Sequence, residues 1–269
     1  MKLVRFIADK EIKNGILIDE RTIKAICHNL FDTIHGDILS NRSVCCDIEY
    51  TLDDVVILPP CLPSKIVAIG LNYLGHAKER DKEHLLPSEP LIFLKPPTAV
   101  IASGDAIVLP CGSEGRVYYE GELAVVIGKK AKDVSEAQAR EYVLGYTCFN
   151  DVSEKYFQKL DVQWTRGKGF DTFAPFGPCI ETDLSPDNLK LETYVNDVLC
   201  QVGFTSDLIF GIDRLVSFVS SIMTLLPGDI IATGTPAGVG RIISGDIVKV
   251  KIEGIGTLSN SVRTKDLIS

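Results

Sequence analysis

Tyr119-Glu120-Gly121-Glu122-Leu123-Ala124-Val125-Val126-Ile127 sets two carboxylates one residue apart at the head of five consecutive apolar residues. Alternate side chains of a strand share a face, so Glu120 and Glu122 point the same way and Gly121 leaves space between them. The run over residues 123–127 has no polar break, which predicts a strand buried on both faces. Carboxylates at the mouth of such a strand are costly unless something neutralises them. A divalent cation would do so. Asp151 ends the next apolar segment, Val143-Leu144-Gly145-Tyr146-Thr147-Cys148-Phe149-Asn150, and offers a third carboxylate. Oxygen ligands without His or Cys suit Mg2+ or Mn2+, and Ca2+ less well. Taken alone, a Glu-x-Glu pair more often lies on a solvated face, because Glu is mostly exposed.

The chain has 269 residues, 45% hydrophobic and 24% charged, which is ordinary for a globular protein of one large domain, or one large and one small. A formal net charge of -8 argues against a nucleic-acid binder, which would show a basic patch. It leaves an anionic small substrate open, because a bound metal reverses the local potential. The eight cysteines are scattered, with no Cys-x-x-Cys, and the four histidines are not spaced with them. Free thiols in a reducing compartment are expected, and a zinc site is not. Charges interrupt the N-terminal residues too early for a signal peptide, and no run reaches the roughly 18 apolar residues of a membrane helix. The expectation is a soluble, cytoplasmic protein without a membrane partner.

Residues 2–8 and 15–26 read as short strands, followed by a helical or irregular piece through His35. The Pro-rich stretch 55–63 marks a boundary between a small N-terminal domain, residues 1–62, and a larger one, residues 63–269. The larger part begins with a buried strand at residues 65–70 that runs into Asn72-Tyr73. His76 and Glu79 then stand three apart, so on a helical turn they share a face. A carboxylate beside an imidazole raises its pKa and fixes its tautomer, making a better general base, although a solvated surface pair is the commoner case. The charged residues around them suit a lid. A strand within residues 90–102 brings Lys95 to a Pro turn, where it either is structural or faces a cleft. Ser135 is placed to cap a helix ending at Tyr142. Lys168 lies between Gly167 and Gly169, where the unobstructed backbone allows close approach to a ligand. The C-terminal third alternates at period two over residues 191–195 and 246–254, with a helix over 210–224 between them. The loop Thr233-Gly234-Thr235-Pro236-Ala237-Gly238-Val239-Gly240 could offer N–H groups to an anion, but fits neither a Walker loop nor a dinucleotide fingerprint.

These pieces in this order resemble the fumarylacetoacetate hydrolase family: Gly70-Leu71-Asn72-Tyr73 with His76 and Glu79, residues 90–97, Tyr119 to Gly128, Asn150-Asp151-Val152-Ser153, Trp164 to Asp171, and Pro227 to Gly240. The resemblance covers residues 63–262. It implies an α+β, mainly β fold, a mixed β-sheet roll with its metal at the open end, preceded by a small N-terminal α/β domain and assembled as a homodimer. It implies Mg2+ or Mn2+ on Glu120, Glu122 and Asp151, a catalytic dyad of His76 and Glu79, an active-site lysine at Lys168, and contact of Thr235 with the substrate's carboxylate or oxo group. The substrate class it implies is the 2-oxo and 2,4-dioxo acids. The expected reaction is hydrolysis of an acylpyruvate such as fumarylpyruvate at a carbon–carbon bond, with Gln158 orienting the substrate. Isomerisation of a 2-hydroxyhepta-2,4-diene-1,7-dioate, tautomerisation or decarboxylation of oxaloacetate, and silent oxo-acid binding are the alternatives. One departure stands out: Lys155 replaces an arginine, so a bidentate contact to the distal end of the substrate becomes a point charge.

Overall fold

The computed structural model describes residues 1–26, 31, 45–75, 87–113 and 115–265. His76 and Glu79 lie outside the described residues, and so does the helical piece expected after residue 26, apart from Phe31.

The strand Gly121–Ile127 is buried at every position, as its unbroken apolar run predicts. Its side chains split by parity. Leu123, Val125 and Ile127 enter one core cluster with Val67, Ile69 and Ile231. Ala124 and Val126 enter the other with Ile66, Ala68, Ile230 and Phe149. The odd-numbered face is covered by the helix Ile212–Ile222 through Ile212, Leu215, Val216 and Val219, and by a five-stranded sheet through Leu191, Val250, Ile252 and Leu258. A strand roofed on both sides in this way has no solvated face on which a polar residue can sit.

Among the described residues the main sheet has twelve strands. Its central path runs Lys2–Ala8, Ala174–Glu181, Val143–Asn150, Gly121–Ile127, Ile230–Ala232, Ile66–Gly70, Leu91–Lys95. Most neighbours are antiparallel; Ile230–Ala232 pairs parallel with Ile66–Gly70. The strands Glu11–Leu17, Thr22–Ile26 and Cys45–Thr51 extend the same sheet beyond Lys2–Ala8. The N-terminal strands thus join the sheet of Gly121–Ile127 edge to edge, through Lys2 opposite Glu181 and Leu3 opposite Ile180. The mainly β architecture agrees with the expected fold class. No helix among the described residues is long and apolar enough to cross a membrane.

Two local readings change. The segment Glu136–Tyr142 is a 3-10 helix, and the Ser135 hydroxyl donates to Gln138 Oε1 at 2.8 Å instead of capping the backbone. The C-terminal helix is shorter than its apolar pattern, Ile212–Ile222. Asn196 and Asp197 form a tight hairpin turn with φ of 50° and 64°; an aspartate tolerates this left-handed region, which explains why glycine is not required there.

Asp229 sets the register of the parallel pair. Its Oδ1 accepts from Ser64 N at 3.0 Å, Ser64 Oγ at 2.6 Å and Lys65 N at 3.1 Å, while Oδ2 accepts from Leu226 N at 2.7 Å and from the Lys65 ammonium. The side chain is fully buried, so its removal orphans three backbone donors at once. Asp229→Ala is expected to cost about 3 kcal/mol. Differential scanning calorimetry would read this as a fall in Tm of about 6–12 °C for a chain of this size.

Candidate active site

Glu122 is the even-numbered residue that leads out of the Gly121–Ile127 strand into a pocket; Glu120 precedes the strand and lies outside it, at the junction with Val117–Tyr119. Backbone pairing fixes the third carboxylate beside them. Asp151 N donates to Glu120 O at 2.8 Å, and Glu120 N donates to Asn150 Oδ1 at 3.0 Å. One oxygen from each of Glu120, Glu122 and Asp151 lies within 4.8 Å of the others, and all three residues are buried. The sequence reading of these three as one constellation is therefore matched by the geometry.

Three ammonium groups surround them. Lys168 Nζ lies 2.9 Å from Glu120 Oε2 and also donates to Asp151 Oδ2. Lys155 pairs with Glu120 Oε1. Lys95, which sequence reasoning left undecided, is fully buried and donates to Asp151 Oδ1 at 2.7 Å and to the Val152 carbonyl at 3.1 Å. Among the described residues Glu122 has no such partner; its Oε2 accepts the Gly234 N–H at 2.8 Å. Gly234 has φ +102°, and a Cβ there would lie 2.9 Å from Asn72 Cβ, so the loop can offer that N–H only as glycine.

The electrostatics follow from this arrangement. Burial pushes the Glu122 carboxyl well above its usual range, and the charges of Asp151 and Glu120 push it further. Burial acts on Glu120 in the same sense, but Lys155 and Lys168 outweigh it and hold that carboxyl low. Burial opposes the charge on Lys168, yet Asp151 and Glu120 raise its pKa above the ordinary lysine value. Lys95 is lowered to about 8 by burial, with Asp151 opposing.

Three oxygen donors in reach of one another, one of them a carboxylate that two neighbouring charges oppose, fit a hard divalent cation. Glu120, Glu122 and Asp151 would hold it. Around them the pocket is walled by Phe93 and Trp164, packed edge to face at 5.1 Å between centroids, with Lys168 Nζ 4.9 Å from the centre of the Phe93 ring. Such a wall excludes water and strengthens every charge inside it.

Gln158 and Thr235 line the same pocket, as do Lys155 and Lys168. Gln158 is buried, and among the described residues its Oε1 has no hydrogen-bond partner, leaving an acceptor open to a ligand. Gly167 is small for a packing reason: a Cβ there would meet Gln158 Cγ at 2.5 Å and Glu154 O at 2.8 Å. The helix Thr165–Lys168 is pressed onto Lys155–Asp161 by that contact, which brings Lys168 to the carboxylates. Lys95 stays undecided in the sequence, and Asn150 is not found there as a site residue. Asn150 had a signal, its place beside Asp151; Lys95 had only a Pro turn.

Comparison with known proteins agrees with this geometry. The model of the fumarylacetoacetate (FAA) hydrolase C-terminal family matches residues 65–263. The chain is 43% identical over 225 residues to an oxaloacetate tautomerase of Bacillus subtilis, covering 79% of this chain and 75% of that protein. It superposes on a 2-hydroxyhepta-2,4-diene-1,7-dioate isomerase from Mycobacterium marinum with a TM-score of 0.88 at 43% identity, over 99% of this chain and 100% of that one. It superposes on a maleylpyruvate hydrolase from Sphingobium sp. SYK-6, solved with manganese(II) and pyruvate, with a TM-score of 0.81 at 30% identity, over 99% and 100% of the two chains. A match to the family model over most of the chain, with the carboxylate cluster inside the matched region, places this chain in the fumarylacetoacetate hydrolase family.

Proposed function

We propose that the chain is a divalent-metal-dependent hydrolase of acylpyruvates, acting on a 2,4-dioxo acid that carries a second carboxylate. The observation that carries the reading is the buried cluster of Glu120, Glu122 and Asp151 with Lys168 against two of its members. With a divalent ion added, three carboxylates and the ammonium groups of Lys95, Lys155 and Lys168 leave two net positive charges, which a dianionic oxo acid would balance. The ion would supply Lewis acidity toward an oxo acid's carboxylate and adjacent oxygen.

The chain's own groups then divide the work. Lys168, held as an ammonium, stabilises negative charge as it develops on the substrate. Gln158 Oε1 accepts a hydrogen bond from the substrate or its water. Lys155 meets the distal carboxylate as a point charge. His76, with Glu79, serves as the base that takes the proton from water. Water adds to C4, the C3–C4 bond breaks with its electron pair passing to the pyruvate fragment, and C3 then takes up a proton.

A second reading, keto–enol tautomerisation of oxaloacetate or isomerisation of a 2-hydroxy-dienoate, uses the same charge stabilisation without the water. It is favoured by the tautomerase and isomerase relatives at 43% identity, against 30% for the hydrolase. The test is ultraviolet-monitored turnover of fumarylpyruvate, smaller acylpyruvates and oxaloacetate, with Mn2+, with Mg2+ and with EDTA. Pyruvate and a free acid in equal amounts, only with metal, are expected. Loss of the oxaloacetate enol band with no acid or CO2 released would replace hydrolase by tautomerase.

A further inference from the structure

Gly121, between the two glutamates, has both of its main-chain groups held by side chains. Its N–H donates to Gln201 Oε1 at 3.0 Å, and its carbonyl accepts from Thr235 Oγ1 at 2.8 Å. Gln201 Nε2 in turn donates to Thr235 Oγ1 at 2.8 Å and to the Pro236 carbonyl at 2.9 Å. The ring of bonds closes on itself, and Gln201 and Thr235 are both buried.

The directions in this ring are forced by chemistry. An N–H can only donate, so the amide oxygen of Gln201 must face Gly121; a carbonyl can only accept, so its nitrogen must face Pro236. Thr235 Oγ1 therefore accepts a hydrogen bond from Gln201 Nε2 and donates its single hydroxyl hydrogen to the Gly121 carbonyl. That proton is not available to a substrate oxygen. Above the ring, Thr193 stands opposite Gln201 in the hairpin of Lys190–Val195 and Val198–Phe204, and a Cβ at position 121 would lie 2.1 Å from Thr193 Oγ1. The second sheet thus grips the metal strand at the one residue between the two carboxylates.

We propose that Gln201 and Thr235 act as a clasp that sets the spacing of Glu120 and Glu122, with Gln201 a positioning residue for the metal pocket and the Thr235 hydroxyl serving the clasp in place of the substrate. This rests on the reading of Glu120, Glu122 and Asp151 as a metal site. A hydroxyl contact to substrate, which the family resemblance implied for Thr235, and the clasp make opposite predictions. Loss of a clasp loosens the metal before any substrate arrives. Loss of a substrate contact leaves the empty pocket's metal affinity alone.

The experiment is titration of the full chain with Mn2+, the free ion read by electron paramagnetic resonance, without any oxo acid; pyruvate affinity of the Mn2+-saturated protein is then measured. Partners that orient metal ligands are typically worth about 10–100-fold in metal affinity. Thr235→Val and Gln201→Met are expected to weaken Mn2+ by about that factor, with pyruvate affinity at saturating Mn2+ within about threefold of wild type. Thr235→Ser, which keeps the donor, is expected to bind Mn2+ as wild type does. If Gln201→Met does not fold, the near-isosteric Thr235→Val decides the matter together with Thr235→Ser. Unchanged Mn2+ affinity in Thr235→Val, with weakened pyruvate, would overturn the clasp and return the hydroxyl to the substrate. Equal losses in Thr235→Val and Thr235→Ser would also overturn it. Failure of wild type to bind Mn2+ would overturn the metal reading and the clasp with it.

Discussion

Glu122→Gln is expected to raise the Tm of the metal-free protein and to abolish both its response to Mn2+ and its turnover. Glu122 is the member of the buried cluster with no ammonium partner among the described residues, while Asp151 and Glu120 crowd it. Glutamine keeps the shape and the acceptor for the Gly234 N–H, and removes the charge. Without metal, that is relief. In the proposed metal site it removes a ligand, and turnover is expected to fall by about 10³-fold or more. Metal at 100 times its Kd stabilises a protein by about 2.7 kcal/mol. For this length that is a Tm rise of about 5–10 °C, present in wild type and absent in the variant. The pH dependence has a definite sign. A carboxyl whose folded pKa is raised keeps its proton after the unfolded chain has released its own, so metal-free stability falls as pH rises from the ordinary carboxylate range toward the raised value. Glu122→Gln should flatten that fall. Scanning calorimetry in EDTA from pH 4.5 upward, for both proteins, gives the comparison; a variant less stable than wild type throughout would refute the crowding.

Legibility in the sequence followed the range of the interactions. Glu120, Glu122 and Asp151 are legible because each stands beside an apolar run, which makes an adjacent carboxylate conspicuous, although Glu120 lies just outside the strand whose alternation it was expected to share. The buried strand Gly121–Ile127 and the alternating strands Lys190–Val195 and Ile247–Ile252 were readable because strand patterns are local. What escaped was decided at long range. Lys95 reaches Asp151 across 56 positions and Gln201 reaches Gly121 across 80, so nothing beside either residue reveals its partner. The role of Asp229 is invisible locally because its donors, Ser64 and Lys65, lie more than 160 positions away in the chain. Ser135 reads as a helix cap, but its hydroxyl bonds to the side chain of Gln138 three residues on, and the segment closes as 3-10. Thr235 lines the pocket, while the partners of its hydroxyl depend on a glutamine that the loop motif does not contain.

Lys168→Met is expected to lower turnover by about 10²–10³-fold while leaving Mn2+ affinity equal to wild type or tighter. The two effects separate because the ammonium has two neighbours of opposite interest. In the proposed reaction it is a fixed positive charge behind an aromatic wall, where developing negative charge is stabilised far more than in water. Toward a cation on Glu120 and Asp151 it is a competitor, pairing with the same two carboxylates. Removing it is therefore expected to slow the proposed reaction and to relieve a cation held by those carboxylates. A lysine acting as base would behave otherwise. It would have to lose its proton near neutral pH, whereas Glu120 and Asp151 raise the pKa of Lys168 above the ordinary value despite its burial. The residual activity of Lys168→Met should therefore keep the wild-type pH profile between about pH 6 and 9, since no ionisation of this group falls there. Disappearance of a limb of that profile would make it the base. Arginine should not rescue: Lys168 is 2% exposed, and a larger planar guanidinium overfills a site shaped for a compact ammonium. Turnover, Mn2+ titration and pH profile on the two variants together distinguish a charge that stabilises the reaction from a group that moves its proton.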